Sequence, residues 1–80
     1  MPKLKVLSGN DLVKIFQRFD FSVTSQKGSH IKISRIKDGE KQVLVFPNHN
    51  EIDTGTLKAI YSQALRYISE SEIKKCFYHD

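Results

Sequence analysis

One histidine in the first half of the chain lies among positively charged side chains. His30 is preceded by Lys27, Gly28 and Ser29 and is followed closely by Lys32 and Arg35. The unperturbed pKa of histidine is about 6.5, so an imidazole both accepts and donates protons near neutral pH. Cations beside it attract phosphate groups. We therefore predict an RNA-cleaving site in which His30 transfers protons and the neighbouring residues bind RNA, namely Lys27, Gly28, Ser29, Lys32 and Arg35.

The alternation of residue types around His30 predicts a β-strand with this histidine on its solvent-facing side. Ile31 and Ile33 are apolar, so His30 and Lys32 lie on the opposite face. A proton-transfer group is useful only where substrate reaches it, which favours a functional histidine. A short basic strand can equally carry an exposed histidine that has no role, and the strand alone leaves both interpretations open.

The length and charge of the chain limit the kind of site that it can form. Its 80 residues predict a single domain over residues 1–80. A domain of this size buries only about 60 to 65% of its unfolded surface, which favours a shallow site for an extended polymer over a deep pocket. The chain has 13 Lys and Arg residues against 9 Asp and Glu residues, and the resulting net charge of +4 favours anionic partners.

Cysteine content and hydropathy indicate a cytoplasmic protein. Cys76 is the single cysteine, so no internal disulfide can form. No segment approaches the roughly 20 apolar residues that span a bilayer, and we expect no membrane partner.

Three segments have the apolar spacing of amphipathic helices. They cover about residues 9–18, residues from 55 onward, and a short stretch after residue 69. Each segment begins with residue types that cap helices. The candidate caps are Ser8 with Asp11, then Asp53 or Thr54, and finally Ser69 with Glu72.

The stretch between the first two helices predicts an antiparallel meander of three strands. Period-two alternation places these strands at about residues 21–26, 29–36 and 41–46, with Gly28 and the Asp38-Gly39 pair in the turns. Two helices cover only one face of such a sheet, so the other face stays in solvent. The fold class is therefore α+β, with the order α-β-β-β-α and a short additional C-terminal helix.

Five short motifs follow one another along the chain in a characteristic order and spacing. They are Ser8-Gly9, Phe21, residues 26–30 (Gln-Lys-Gly-Ser-His), residues 46–49 (Phe-Pro-Asn-His), and residues 55–60 with Gln63-Ala64. Together they resemble the HicA toxins, also called the YcfA-like family, over essentially the full chain. The resemblance implies a double-stranded-RNA-binding-domain-like fold and a ribosome-independent mRNA interferase that a HicB-type antitoxin neutralises. It also implies that the histidine of the Gly-Ser-His motif, His30 here, is the functional residue.

Two positions depart from the family pattern. Asp20 stands where family members usually carry glycine before the aromatic residue that opens the sheet. Aspartate accepts the left-handed backbone conformation less readily than glycine, but better than most residues. Residues 65–67 (Leu-Arg-Tyr) continue the helical pattern where the family usually has glycine, which predicts a longer second helix.

RNA carries its own nucleophile, the 2′-hydroxyl, so cleavage requires only proton transfer and charge stabilisation. We predict metal-independent transesterification that leaves a 2′,3′-cyclic phosphate and uses no cofactor. His49, in the loop after Pro47, is the candidate second proton-transfer residue, although a loop histidine can equally have a local role at the start of the next helix. A zinc site from His30, His49, Cys76 and His79 is disfavoured because the spacings are wide.

Two interpretations from other functional classes compete with the nuclease. The chain could be a binding module that holds structured RNA without cleaving it. Its basic face could also serve mainly as a docking surface for an acidic protein. We expect a monomer when the protein is free and a hetero-oligomer when it is bound to the antitoxin, which would cover His30.

Overall fold

The main sheet is an antiparallel meander of three consecutive strands, flanked by helices on one face. A computed structural model describes residues 2–79. In chain order its elements are β1 (Lys3–Leu4), α1 (Gly9–Gln17), β2 (Ser22–Lys27), β3 (His30–Lys37), β4 (Glu40–Pro47), α2 (Thr54–Ala64), α3 (Glu70–Phe77) and β5 (Tyr78–His79). The predicted α+β class and the α-β-β-β-α order with an extra C-terminal helix are confirmed.

Tight turns join the three strands in the order β2-β3-β4. Asp38 and Gly39 have positive φ angles of 53° and 77°, as a two-residue type I′ hairpin turn requires at both central positions. β3 pairs with β4 without interruption, from His30 opposite Pro47 to Lys37 opposite Glu40. The predicted turn at the Asp-Gly pair is therefore confirmed.

The edge strand β2 contains an irregularity that the alternation of residue types did not predict. Its register with β3 shifts between Val23 and Ser25, which leaves Thr24 as an extra residue in the strand. The Thr24 hydroxyl donates to the Lys32 carbonyl at 3.3 Å. All six residues of β2 are exposed, so no buried face of this strand fixes its register against β3.

The core lies between the inner face of the sheet and the helices. Phe16 of α1 is completely buried at its centre, and its ring lies 5.8 to 6.2 Å from three other rings. Those rings belong to Phe21, Phe46 and Phe77. The strands contribute Ile31, Ile33 and Leu44 from the same face. Period-two alternation in β3 and β4 and helical spacing in α1 thus bury one continuous apolar cluster.

The chain ends meet in a second, two-stranded sheet that no sequence pattern indicated. β1 pairs antiparallel with β5, with Lys3 opposite His79 and Leu4 opposite Tyr78. Two residues are too few to show a strand pattern in a sequence, so only the tertiary structure reveals this pairing.

The predicted cap of α1 is confirmed, and the structure decides between the two candidate caps of α2. Ser8 and Asp11 form a reciprocal capping box at the start of α1. Asp53 rather than Thr54 caps α2, because its carboxylate accepts from the Thr56 amide at 3.0 Å. The hydrogen bonds from Thr56 lower the pKa of Asp53, because they stabilise the ionised form of the cap.

Two predictions about the C-terminal helices are wrong. Ser69 is the N-cap residue of α3, but its hydroxyl accepts no backbone amide and instead donates to the Glu72 carboxylate at 2.8 Å, so the predicted capping box is absent. The longer second helix is also absent, since α2 ends at Ala64. The amides of Arg66 and Tyr67 bond three residues back, to Gln63 and Ala64, which tightens the chain into a turn.

The chain reverses direction after α1 at Asp20, the position where the family pattern has glycine. Its φ angle is +69°, in the left-handed region. The Phe21 amide then donates to the Phe16 carbonyl at 3.1 Å, which closes the end of α1. The expectation that aspartate tolerates this conformation is confirmed.

A guanidinium group on the inner face of the sheet fastens the ends of both long helices. Arg35 donates to the Phe19 carbonyl at 2.7 Å, just beyond α1, and to the Tyr67 carbonyl at 2.9 Å, just beyond α2. Its Nε donates to the Gln42 side chain at 2.6 Å, and its Cζ lies 4.7 Å from the centre of the Phe21 ring. One side chain thereby connects both helix ends to β3 and β4.

We predict that Arg35→Met lowers the free energy of unfolding by about 2 to 4 kcal/mol, because half-buried carbonyls and the Gln42 amide lose a charged donor. Urea unfolding measures this loss. Lys41→Met is the matched control, since Lys41 is exposed on the neighbouring strand, and it should change the free energy by no more than about 0.5 kcal/mol. Equal effects of the two substitutions would show that Arg35 is not structural.

Candidate active site

His30 is the first residue of β3, and its side chain is exposed on the face of the sheet that the helices leave open. The two-residue turn Gly28-Ser29 places it there. Gly28 has a φ angle of +56°, and a Cβ atom at this position would meet nothing within 4 Å. Glycine is therefore favoured at position 28 by backbone conformation rather than by lack of space. The predicted exposure of His30 is confirmed.

Cationic side chains share the open face with His30. Lys27 is paired directly with His30 across the β2–β3 ladder, and Lys32 lies two residues further along β3. Directly opposed residues of antiparallel strands have Cβ atoms about 4.5 to 5.5 Å apart and project to the same side. The structure therefore places an imidazole beside two exposed ammonium groups on an open surface.

The loop after β4 lies beside the turn that precedes His30. Pro47 is paired with His30 on the side opposite Lys27. The Asn48 amide donates to the Ser29 carbonyl at 2.5 Å. The Gly9 amide, at the start of α1, donates to the His49 carbonyl at 2.9 Å. Three distant segments of the sequence thus meet at one end of the sheet.

Gly9 permits this meeting because its backbone lies against the loop. A Cβ atom at position 9 would lie 2.7 Å from the Asn48 Cα and 2.9 Å from the Pro47 carbonyl oxygen. Real Cβ atoms do not approach backbone atoms so closely, so any side chain here would push the loop away. The Ser8-Gly9 motif is visible in the sequence, but the reason for its glycine is visible only in the structure.

His49, the candidate second proton-transfer residue, is exposed in the same loop. Hydrogen bonds from Thr56 are the main cause of the lowered pKa of Asp53, and the charge of His49 lowers that pKa by a smaller amount. His49 therefore lies within electrostatic reach of the start of α2. Among the residues that the structure describes, no hydrogen bond joins His49 to His30, so its role in catalysis stays a prediction.

Arg35 does not lie with the other residues predicted to bind RNA. Its guanidinium is on the inner face, where it bonds the two helix ends and Gln42. We correct its predicted role from RNA contact to structural support. The signal was present in the sequence, because strict alternation from Ile31 and Ile33 places Arg35 on the buried face as well.

The histidines and the cysteine are dispersed over the fold. Cys76 is buried in α3, and His79 lies in β5 opposite Lys3. Within residues 2–79, no three His, Cys, Asp or Glu side chains come close enough together to hold a metal ion. The disfavoured zinc arrangement therefore has no counterpart in the described part of the chain.

Comparison with known families agrees with this arrangement of motifs. The family described as the HicA toxin of bacterial toxin-antitoxin matches residues 9–65 of the 80-residue chain. The chain belongs to the HicA toxin family. The match begins at Gly9, includes the whole three-stranded sheet and ends just after α2. The Gly28–His30 turn and the Pro47–His49 loop both lie inside it.

Family membership makes this protein a toxin of a toxin-antitoxin system. No curated protein and no solved structure matches the chain. In residues 2–79 no helix is long and apolar enough to cross a membrane, and α2, with 11 residues, falls well short of that length. α3 and β5 lie outside the family match, although Phe77 packs against Phe16 inside it.

We predict that Gly9→Ala destabilises the protein by about 1 to 3 kcal/mol, because the added methyl group collides with the Asn48 backbone. Gly55→Ala is the matched control. Gly55 lies in the first turn of α2, and its added Cβ would make only an ordinary contact at 3.5 Å, with the Asp53 carboxylate. Thermal unfolding of both variants checks the prediction, and a Gly9→Ala variant as stable as Gly55→Ala would contradict it.

Proposed function

We propose that this toxin is a ribosome-independent mRNA interferase that cleaves RNA with His30 as its proton-transfer residue. The observation that carries the proposal is the position of His30, exposed on the open sheet face between Lys27 and Pro47. Membership of the HicA toxin family supports it. An open face admits an extended polymer, and we place the reaction in the cytoplasm, where mRNA is found.

The reaction is a transesterification that the RNA performs on itself. A base removes the proton from a 2′-hydroxyl, the 2′-oxygen bonds to phosphorus, and the bond from phosphorus to the 5′-oxygen breaks. The 5′-oxygen takes up a proton, which leaves a 2′,3′-cyclic phosphate and a 5′-hydroxyl. Neutral His30 can accept the first proton and protonated His30 can donate the second, while Lys27 and Lys32 stabilise negative charge on the phosphate oxygens.

A single histidine predicts a slow enzyme. Acid–base catalysis by one positioned group contributes about 10² to 10⁴-fold, a small part of what fast ribonucleases achieve. We propose His49 as the second proton-transfer residue, because the loop that carries it is hydrogen-bonded to Ser29 and Gly9 beside the site. Ser29 and Gly28 contribute the turn whose backbone a bound RNA strand would meet first.

We predict that His30→Ala lowers RNA cleavage by at least about 100-fold while leaving RNA binding within roughly threefold of the wild type. His79→Ala is the matched control, because that histidine lies in β5, away from the main sheet. Cleavage of labelled RNA, with product ends identified by mass spectrometry, measures the effect. Cleavage should persist in excess chelator.

Three results would contradict the mechanism. Unchanged cleavage by His30→Ala would remove the proposed role of this residue. Loss of wild-type cleavage in chelator, with recovery on addition of a divalent ion, would show that a metal takes part. Products with 3′-hydroxyl ends would exclude attack by the 2′-hydroxyl.

A non-catalytic RNA-binding module is the second candidate function. It is favoured by the absence, among the described residues, of a hydrogen bond between His30 and His49, and by the exposed lysines on an otherwise open face. Salt-dependent RNA binding by a wild type that never cleaves RNA, with binding unaffected by His30→Ala, would support this candidate instead.

We also propose that the antitoxin, a HicB-type protein, binds over the open sheet face and thereby covers His30. This face carries apolar side chains as well as lysines. Ile36 is 77% exposed and Val45 is 47% exposed, and the register places both on the same side as Lys32. Apolar contacts at the centre and acidic groups opposite the lysines would bind this surface in a hetero-oligomer, with the free toxin monomeric.

We predict that Ile36→Asp weakens the complex with the HicB-type antitoxin by at least about tenfold, because a carboxylate would replace an apolar contact and repel acidic residues. Val6→Asp is the matched control, since Val6 is 72% exposed but lies next to β1, outside the main sheet. Co-purification and calorimetry measure both variants. Equal losses, or none for Ile36→Asp, would place the antitoxin elsewhere.

A further inference from the structure

A groove on the helical side of the molecule carries a concentration of positive charge that the proposed active site does not use. It lies between α1 and the C-terminal part of α3 and has a volume of about 480 Å³. Its cationic side chains are Lys5, Lys14, Arg18 and Lys75. We propose that this groove is a second RNA-binding site, which holds the phosphate backbone of a single-stranded RNA at a distance from His30.

The charge of the groove is strongly positive. Among the described residues Asp11 is its only lining carboxylate, so four cations and one anion leave three positive charges. That carboxylate is already engaged, because one of its oxygens accepts from the Ser8 amide at 2.9 Å in the capping box. The backbone and side-chain bonds from Ser8 lower the pKa of Asp11, and Lys14 adds a smaller effect.

Part of this charge is fixed in place by the fold. The Lys5 ammonium donates to the Lys75 carbonyl at 3.0 Å, which joins the segment after β1 to the last turn of α3. Lys14 and Arg18 are one turn apart and therefore lie on the same side of α1. Two helices and the N-terminal segment thus bring their cations to one surface.

Three of these cations, Lys14, Arg18 and Lys75, also have a simpler explanation, which does not account for the arrangement of the four. Lysine and arginine near helix C-termini interact favourably with the helix dipole. That effect acts within one helix and gives no reason for two helices to direct their cations into the same groove, where they repel each other. In other clefts of the described chain a glutamate offsets part of the positive charge. The cleft beside Lys74 contains Glu70, and the cleft beside Lys37 contains Glu72.

RNA is the occupant that the position of α1 favours. α1 begins at Gly9, whose amide is bonded to the His49 carbonyl at the end of the sheet that carries His30. Lys14 and Arg18 follow along the same helix, about 8 and 14 Å from its start at 1.5 Å per residue. The groove lies on the helical side and His30 on the open face, so an RNA strand bound at the candidate site would reach this row of cations by passing around the end of the sheet at Gly9. This inference rests on the proposed function for its choice of polyanion.

The test measures binding without cleavage. The probe is a fluorescein-labelled single-stranded RNA of about 16 nucleotides, the upper end of the site sizes of small binding folds, with every 2′-hydroxyl methylated to remove the nucleophile. The full-length double variant Lys14→Gln/Arg18→Gln is compared with Lys37→Gln/Lys58→Gln, which removes two exposed charges outside the groove. Fluorescence anisotropy at several salt concentrations gives the Kd and its salt dependence, and thermal unfolding confirms that both variants are folded.

We expect the groove variant to raise the Kd about tenfold, at roughly two- to fivefold for each exposed charge, and the control variant to stay within about twofold. The slope of log K against log salt should fall by about 1.4 in the groove variant, since each phosphate of a single strand that a cation neutralises adds about 0.7 to that slope. An unchanged Kd and slope in the groove variant, or equal changes in both variants, would overturn the inference. Unchanged RNA binding with weaker antitoxin binding would overturn it in favour of an acidic protein.

The same experiment separates this inference from the proposed nuclease. A wild type that binds the methylated RNA through the groove but cleaves no unmodified RNA would refute the nuclease and leave the groove intact. A wild type that cleaves RNA while the groove variant binds as tightly as the control would refute the groove and leave the nuclease intact.

Discussion

The fold depends on one half-buried positive charge. The groups that accept its hydrogen bonds are carbonyl oxygens rather than a carboxylate. Arg35 lies on the inner face of β3 and bonds the chain just beyond α1 and just beyond α2. The C-terminal ends of helices carry partial negative charge, so a guanidinium placed between two of them is stabilised by both. Its planar group spreads its donors over three nitrogens, so it reaches two carbonyls and Gln42 at once, whereas the donors of a lysine all lie on one nitrogen. This contact ties the chain just beyond both helices to the sheet.

The candidate site depends in turn on a close approach at the other end of α1. Only a residue without a side chain fits where Gly9 lies against Asn48. This contact brings the start of α1, the end of β4 and the turn before β3 into one place, although they are far apart in sequence. His30 therefore owes its surroundings to backbone contacts made by neighbouring segments, while its own side chain is left free to meet a substrate.

Much of the fold could be predicted from the sequence, since alternation in β3 and β4, helical spacing in α1 and the Asp38-Gly39 turn are strong local signals. Other features have no local signal. The register shift in β2 lies in a strand with no buried face, and β1 and β5 are too short to show a pattern. The chain just beyond α2 is held by contacts of Tyr67 with Arg35 and Phe21, and helix propensity does not predict such tertiary contacts. At the site, the alternation of residue types correctly predicted that His30 is exposed. The same alternation, continued along the strand, would also have predicted that Arg35 lies on the buried face.

The register shift in β2 also affects whether copies of the protein can associate with one another through this strand. An exposed edge strand has unpaired amide and carbonyl groups on its outer side and can recruit a strand from another molecule. An extra residue at Thr24 bends and twists the strand locally, so a straight strand cannot pair along its whole length. Lys27 adds a charge near the end of the same edge. This irregular and charged edge therefore opposes edge-to-edge pairing between copies of the protein.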